Sequence, residues 1–488
     1  MLSAAALIPL LILVGGAVDM SAAYMARTKL QNACDSAVLA GRQSMLGMTF
    51  NLGNRAEAQK FFDFNYEAGA SLSRDIVFEI EQNPTDTQEL LGNASANVET
   101  TLMHIFGFDT IPISVECNAR RDQANNDIVL VLDVTGSMLS PPSGGGRTKI
   151  ASLRTGAAGL YRALGNDPNS QTRYGIVPYS HTVNVARSLR NNDILRLQQY
   201  VHRVRDSDGV WRAEKTVHIN QSSWNSNGTN EEANKTSFRT SGNGCIEERP
   251  SIGEAASPVR LRRTVIRDDI DRMATSSTDT VRQYGRYDPP AHTNTGNTTS
   301  NGVRFYQIGG TWVQTGCPSE AVKLRTYASE AAFNTAINNA TARVTGGTYH
   351  DIGMLWGARF ISRTGYFSAD NPTHVGDIPI NQHIVFMTDG DLDTGDTLYS
   401  AFGINSFQNR MTGSGTTNAK HTARFLAICD VVRSMGVTVW VIALDEDNTA
   451  DIEPCATSSD HFYTSDGDDL EEVFEQIGQG IGNLRLTR

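Results

Sequence analysis

The chain has 488 residues, which at roughly 100–200 residues per domain predicts two to four domains. Apolar residues make up 39%, an ordinary globular level that excludes a wholly disordered or collagen-like chain. Lysine and arginine total 42 against 53 acidic residues, and the net charge of −11 argues against non-specific nucleic-acid binding as the main role, because it repels phosphate.

The first element is an apolar run, Leu2–Val18, with no charge before Asp19. At about 1.5 Å per residue this run reaches the lower limit of a membrane-spanning helix. A cleaved signal peptide would carry a basic leading region, which is missing, so the run is read as a membrane anchor. No other stretch is apolar enough to enter a bilayer, which excludes a transporter or a channel pore. Ala23, Leu30, Cys34 and Val38 continue a helical face, so one long helix is predicted over residues 1–43. Arg27 and Lys29 follow the run, and the positive-inside rule alone would place the bulk of the protein in the cytoplasm. The cysteines argue the other way. Cys34, Cys117, Cys245, Cys317, Cys429 and Cys455 include no CxxC pair, so zinc spacing is absent. An even count on the far side of a bacterial membrane suggests disulfides. Six cysteines permit fifteen pairings; chain order suggests Cys429–Cys455 and Cys245–Cys317 as local pairs, leaving Cys34 with Cys117.

Residues 44–122 mix a polar stretch with strand-like runs at Ile76–Ile80, Ala96–Thr101 and Thr110–Val115, which predicts a small α+β domain. From 123 the texture changes. Ile128–Leu132 is a continuous apolar run, the mark of a strand buried on both faces of a parallel sheet. A helix pattern follows, with Ile150, Leu153, Ala157, Leu160, Tyr161 and Leu164 on one face. Further strands are predicted at Tyr174–Tyr179, Ile384–Met387 and Val437–Leu444, with a helix over 418–435. A last helix carries Leu470, Val473, Phe474, Ile477 and Ile481 on one side. Alternating strands and helices imply a doubly wound, Rossmann-like α/β sheet in two parts, 123–183 and 341–488. Between them, residues 184–340 are rich in Asn, Thr, Ser and Arg and are read as a large, partly looped insertion stapled by Cys245–Cys317.

The first buried strand runs into Asp133-Val-Thr135-Gly-Ser137-Met138. Ligands of open α/β sheets sit at the carboxyl ends of strands. An Asp followed by hydroxyls two and four residues on puts three hard oxygens on one turn, which suits Mg²⁺, Ca²⁺ or Mn²⁺. Gly346-Gly347-Thr348 precedes a helix pattern and offers another hydroxyl; Thr388-Asp389-Gly390 follows a strand and offers a second carboxylate. Asp391, Asp393 and Asp396, and likewise Asp445-Glu446-Asp447-Asn448, are read as solvated acidic loops, and Arg260–Arg272 as a charged surface helix. There is no HExxH, nucleophile elbow or Walker lysine, so an enzyme is not expected.

Asp133-x-Thr135-x-Ser137, Thr348 and Asp389 together resemble the metal-ion-dependent adhesion site of von Willebrand factor type A domains. The resemblance implies that Thr135 and Ser137 bind a divalent metal, with Mg²⁺ first and Ca²⁺ or Mn²⁺ as alternatives. It implies that Thr348 binds directly or through water, that Asp133 and Asp389 bind through water, and that one position stays open for a partner's carboxylate. Thr135 stands where Ser is commoner, and Thr348 is far from Ser137 because of the insertion. The segments Leu11–Met20, Arg27–Ala40, Gly347–Gly357 and Cys455–Leu486 are similar to TadE/TadG-like proteins of bacterial Flp/Tad pilus systems. That family usually starts with a basic stretch, which this chain lacks. The resemblance implies a single-pass inner-membrane protein with its bulk in the periplasm. Its role would be pilus assembly, with a pilin, minor pilin or other assembly component offering the acidic residue. The alternative is cell adhesion at the surface or a pilus tip through the same site. No nucleic acid is expected as a partner.

Overall fold

The computed structural model describes residues 2–487 apart from 46–48, 67–71, 88, 122–124, 165–170, 190–197, 206–210, 219–243, 250, 252–260, 277–278, 288–296, 301–302, 309–310, 315–316, 377, 396–397, 406–409, 447 and 483. The chain divides into two compact units. The first comprises residues 1–123 with 162–169 and 478–488, and the second comprises 124–161 with 170–477.

The first unit begins with one long helix, α1 (Leu2–Gln43). Its expected membrane run falls mainly on residues 2–13, whose side chains lie outside the described residues. Among the described residues no helix is long and apolar enough to cross a membrane. From Ala23 onward α1 is instead part of a protein core. Ala26, Leu30, Ala33, Ala37 and Val38 are buried together with Leu90, Ala94, Val98, Ile113 and Val115. A shorter helix, α2 (Leu52–Asn65), starts at a reciprocal cap in which Asn51 and Asn54 bond each other's backbone N–H. Strands β1 (Ser73–Gln82), β2 (Glu89–Glu99) and β3 (Thr110–Arg121) form an antiparallel sheet, joined on β3 by Leu484–Thr487. Gly92, in the middle of β2, has a spatial reason. A Cβ there would lie 2.5 Å from Val38 Cγ1 and 2.6 Å from Cys117 Sγ, so only glycine lets α1 and the Cys34–Cys117 disulfide lie on the strand.

The second unit is a mixed α/β body around one sheet. Its strands are β4 (Asn125–Asp133), β5 (Thr172–Tyr179), β6 (Val322–Arg325), β7 (Ile378–Thr388), β8 (Thr438–Leu444) and β9 (Phe462–Ser465). They lie in the order β6-β5-β4-β7-β8-β9. Along this order all neighbours are parallel except the edge strand β6, which is antiparallel to β5, and a two-residue strand, His374–Val375, pairs antiparallel with the start of β7. Every residue of β4 is buried, as its unbroken apolar run requires. Residues Val129, Val131, Val177, Ile384, Phe386, Val439 and Val441 face a core shared with α6 (His350–Ile361) and α7 (Thr417–Ser434). The alternate residues Ile128, Leu130, Leu132, Val385, Met387 and Ile442 are buried too. Helices α3 (Lys149–Leu164) and α8 (Leu470–Ile481) meet closely, since a Cβ on Gly156 would lie 2.5 Å from Phe474 Cδ2.

The stretch read as an insertion differs in detail. Edge strand β6 and helix α5 (Glu330–Ala340) lie inside residues 184–340 but belong with the sheet: Phe333 of α5 stacks among Tyr161, Tyr174 and Tyr327. The rest carries a hairpin, Gln198–Arg205 with Trp211–His218, and a three-stranded sheet over 297–314. It also carries helix α4 (Arg263–Asp271). All three disulfides suggested by chain order are formed.

Candidate metal centre

The strand order decides where a site can form. From β4 the chain moves outward to β5 and β6, then returns to β7 and proceeds the other way, so β4 and β7 flank the point where the order reverses. That crevice, at the carboxyl ends of the strands, is the ligand position of open α/β sheets. Asp133 ends β4 and Asp389 follows β7, and the two strands pair up to Met387 and Leu132.

The turn after β4 is built by Asp133 itself, whose Oδ1 accepts the Thr135 N–H at 2.8 Å. Its Oδ2 accepts the Thr388 hydroxyl at 2.8 Å and the Tyr179 hydroxyl at 3.5 Å. Thr135 Oγ lies 3.0 Å from Ser137 Oγ, and the Ser137 hydroxyl donates to Asp389 Oδ1 at 2.8 Å. Asp133, Thr135 and Asp389 are buried, whereas Ser137 is exposed, so the oxygen cluster opens to solvent at Ser137. Thr348 is buried on a loop laced to the same turn: the Gly346 carbonyl accepts the Gly136 N–H at 3.1 Å, and Thr345 N–H donates to the Val134 carbonyl at 2.8 Å. Gly346 has φ +81, a left-handed conformation that glycine adopts freely, and a Cβ there would meet His181 at 3.0 Å. Asp133, Thr135, Ser137 and Asp389 are therefore joined by hydrogen bonds, and the Thr348 loop is fastened to their turn.

Sequence reasoning missed Lys149 and Asp445. Lys149, the first residue of α3, is buried, and its Nζ lies 3.3 Å from Asp389 Oδ2 and 3.0 Å from Asp445 Oδ2. Asp445 is not a solvated loop residue. It is held at φ +53 and accepts the backbone N–H of Ser143 at 3.0 Å. The available signal was its place at the carboxyl end of β8. Asp391 and Asp393 are exposed, as expected, and Asp396 lies outside the described residues.

The electrostatics follow from this packing. Burial, reinforced by the neighbouring Asp389 charge, pushes the Asp133 carboxyl up to about 7. Burial also raises Asp389, against the pull of Lys149. Burial alone would lower Lys149, but Asp389 and Asp445 outweigh it and hold the ammonium above its ordinary value. Asp445 is held below the usual carboxylate range, because bonds from Ser143 and Lys149 overcome its own desolvation.

Among the described residues no cluster of three or more His, Cys, Asp or Glu side chains is placed to hold a metal ion. A cation at this crevice would therefore depend on hydroxyls as well as carboxylates. The donor set fits one. Six oxygens at about 2.1 Å around Mg²⁺ place adjacent oxygens about 3.0 Å apart, close to the 3.0 and 2.8 Å separations along Thr135, Ser137 and Asp389. The cluster is all oxygen, which suits a hard divalent cation.

Residues 1–53 match the family model described as Flp pilus-assembly TadE/G-like. No curated protein is significantly similar in sequence. Among solved structures, the pilus adhesin SpaC from Lactobacillus rhamnosus GG is 12% identical, with a TM-score of 0.36. The alignment covers 85% of this chain but only 37% of that one. The von Willebrand factor domain of the type V pili tip protein Mfa5 from Porphyromonas gingivalis is 11% identical (TM-score 0.31), over 74% of this chain and 96% of that chain. Proximal thread matrix protein 1 from the mussel byssus, solved with a zinc-occupied metal-ion-dependent adhesion motif, is 11% identical (TM-score 0.21), over 76% of this chain and all of that one. At such scores the overlap is partial, and no property of the site is carried over from these proteins.

Proposed function

We propose that the chain is a pilus-associated protein of the bacterial cell envelope whose second unit is a von Willebrand factor type A domain. In this reading a divalent cation, Mg²⁺ first, is held by Thr135, Ser137 and Thr348, with Asp133 and Asp389 behind it. The cation captures a carboxylate on a pilin, minor pilin or other assembly component. The first unit, pilin-like in this reading, tethers the protein to the inner membrane through the start of α1 and leaves the bulk in the periplasm, where the disulfides persist. The protein is not an enzyme: it binds.

The observation that carries this reading is the charge balance at the crevice. Among the described residues Asp133, Asp389 and Asp445 stand against Lys149 alone, a deficit of two positive charges (three acids less one base), which a dication fills. The exposed Ser137 edge is where an external acid could reach it. The residues 1–53 match favours assembly over adhesion.

The test is a deletion strain complemented with wild type or Asp389→Ala, alongside thermal unfolding of both proteins with and without Mg²⁺. At a hundredfold excess over Kd, Mg²⁺ should stabilise the wild type by about 2.7 kcal/mol and Asp389→Ala by nothing. The deletion should lack surface pili in electron micrographs, with rescue by wild type only. Normal pili with lost adhesion would move the role to an adhesin. No Mg²⁺, Ca²⁺ or Mn²⁺ effect on the wild type would remove the metal reading.

A further inference from the structure

Lys149 is an unusual neighbour for a cation site. Its ammonium is buried beside Asp389, on the carboxylate oxygen opposite the one bonded to Ser137. Two restraints keep it there. Lys149 begins α3, and its N–H donates to the Ser140 carbonyl at 3.0 Å, so the backbone cannot retreat. Asp445 grips the ammonium at 3.0 Å from a conformation that non-glycine residues rarely adopt. Lys149 is therefore a fixed positive charge within the carboxylate set.

Two like charges in a partly desolvated site repel strongly, in proportion to the product of their charges. A cation bound by Asp389 and Ser137 must share Asp389 with this ammonium. Resting on the metal reading above, we propose that Lys149 sets the strength and charge selectivity of the site. It is a tethered counter-cation that keeps metal binding weak and exchangeable and disfavours ions of higher charge. Its effect is positioning and electrostatic, since the ammonium offers no lone pair to a metal.

The experiment measures Ca²⁺ and Tb³⁺ affinity of the purified full chain, disulfides formed, for wild type, Lys149→Gln and Lys149→Arg. Calorimetry serves for Ca²⁺ and sensitised luminescence for Tb³⁺. Gln keeps a hydrogen-bond donor for Asp445 and removes the charge; Arg keeps the charge. Because the repulsion scales with the ion's charge, Lys149→Gln should bind Ca²⁺ about tenfold more tightly and Tb³⁺ about thirtyfold more tightly. Lys149→Arg should stay near wild type. Unchanged or weaker binding in Lys149→Gln, or equal gains for both ions, would overturn the charge role while leaving the metal site standing. Wild type that binds neither ion would remove the proposal, and the metal reading would fall with it if Mg²⁺ and Mn²⁺ also left the unfolding of the wild type unchanged. If Lys149→Gln fails to fold, the arginine variant still decides: affinity that changes more than about threefold with the charge kept would defeat the proposal.

Discussion

Two clusters of buried charge among the described residues of the second unit differ in one respect. Around Glu248 the charges balance. Glu248, Asp269 and Asp351 face Arg249, Arg359 and Arg424. Arg359 grips Glu248 with two bonds of 2.8 and 2.9 Å, bonds the Asp269 carbonyl, and lies over the Trp356 ring at 4.6 Å. Burial would raise Glu248, but Arg359 and the other arginines outweigh it and hold the carboxyl below its ordinary value. At the candidate metal centre the acids outnumber the base, and Asp133 is pushed the other way, up to about 7. A buried cluster complete in itself fixes structure, here tying strand segment 246–247 and α4 to α6 and α7. A buried cluster short of positive charge is stable as drawn only with a proton or a cation added, so the deficit marks the site rather than the density of charge.

The balanced cluster should be the costlier one to break. Arg359→Ala would strip Glu248 of its bidentate partner and leave it buried with Arg249 at 4.0 Å, at a cost of about 3–5 kcal/mol, read from denaturant unfolding. Glu248→Ala should cost a similar amount, and the double variant less than the sum. Additive costs would mean that the pair is not acting as a unit.

A buried base without any counter-charge tests the comparison from the other side. His383 on β7 accepts the Trp440 indole N–H at 3.3 Å, and burial, helped by the nearby His461, lowers it to about 4. Its ordinary value is 6.5. The unfolded chain therefore takes up a proton on this residue at a pH where the folded chain does not. Its contribution is complete above about 6.5 and is lost as the pH falls from there toward 4. The loss should be on the order of 3 kcal/mol, isolated as the difference between the stability–pH curves of wild type and His383→Gln. Parallel curves would show that His383 is protonated equally in both states.

What was legible in the sequence follows the same logic of burial. β4, β7 and β8 were readable because strands covered on both faces are unbroken apolar runs, and Asp133, Thr135, Ser137 and Asp389 were readable as candidates because they occupy the loops after such strands. Helix α2 was not readable: it buries only Asn54, Ala58 and Phe62, too narrow a stripe to show as amphipathic. Edge strand β6 is only four residues, apolar alternating with basic in Val322-Lys-Leu-Arg325, hidden in a polar stretch. Arg260–Arg272 looked like a solvated helix, yet Val265, Ile266, Asp269 and Ile270 of α4 are buried and Asp269 belongs to the balanced cluster. Lys149 and Asp445 failed for one reason: a charged residue looks solvated until its distant partner in the chain is brought beside it.

The smallest expected effect concerns a third way of holding a buried charge, in the first unit. Asp19 of α1 is buried without a cation. Its two oxygens accept the N–H groups of Thr101, Leu102 and Met103 at 2.9, 3.0 and 2.7 Å. Burial alone would raise this carboxyl, and the three donors outweigh it and hold it below its ordinary value. Dipoles thus replace a counter-ion, as they do for anions at helix starts. The approach is close: a Cβ on Gly15 would sit 2.9 Å from Leu102 Cβ, so α1 and this turn are fitted to one another. Asp19→Ala should leave three amides without their acceptor and cost about 1–3 kcal/mol. The loss should be local. Hydrogen exchange at Thr101, Leu102 and Met103 should quicken while the paired amides of β2 and β3 keep their protection. If those three amides exchange as in wild type, the turn is held by its other bonds, such as that from the Ile105 N–H to the Leu102 carbonyl, and the carboxylate is only a guest there.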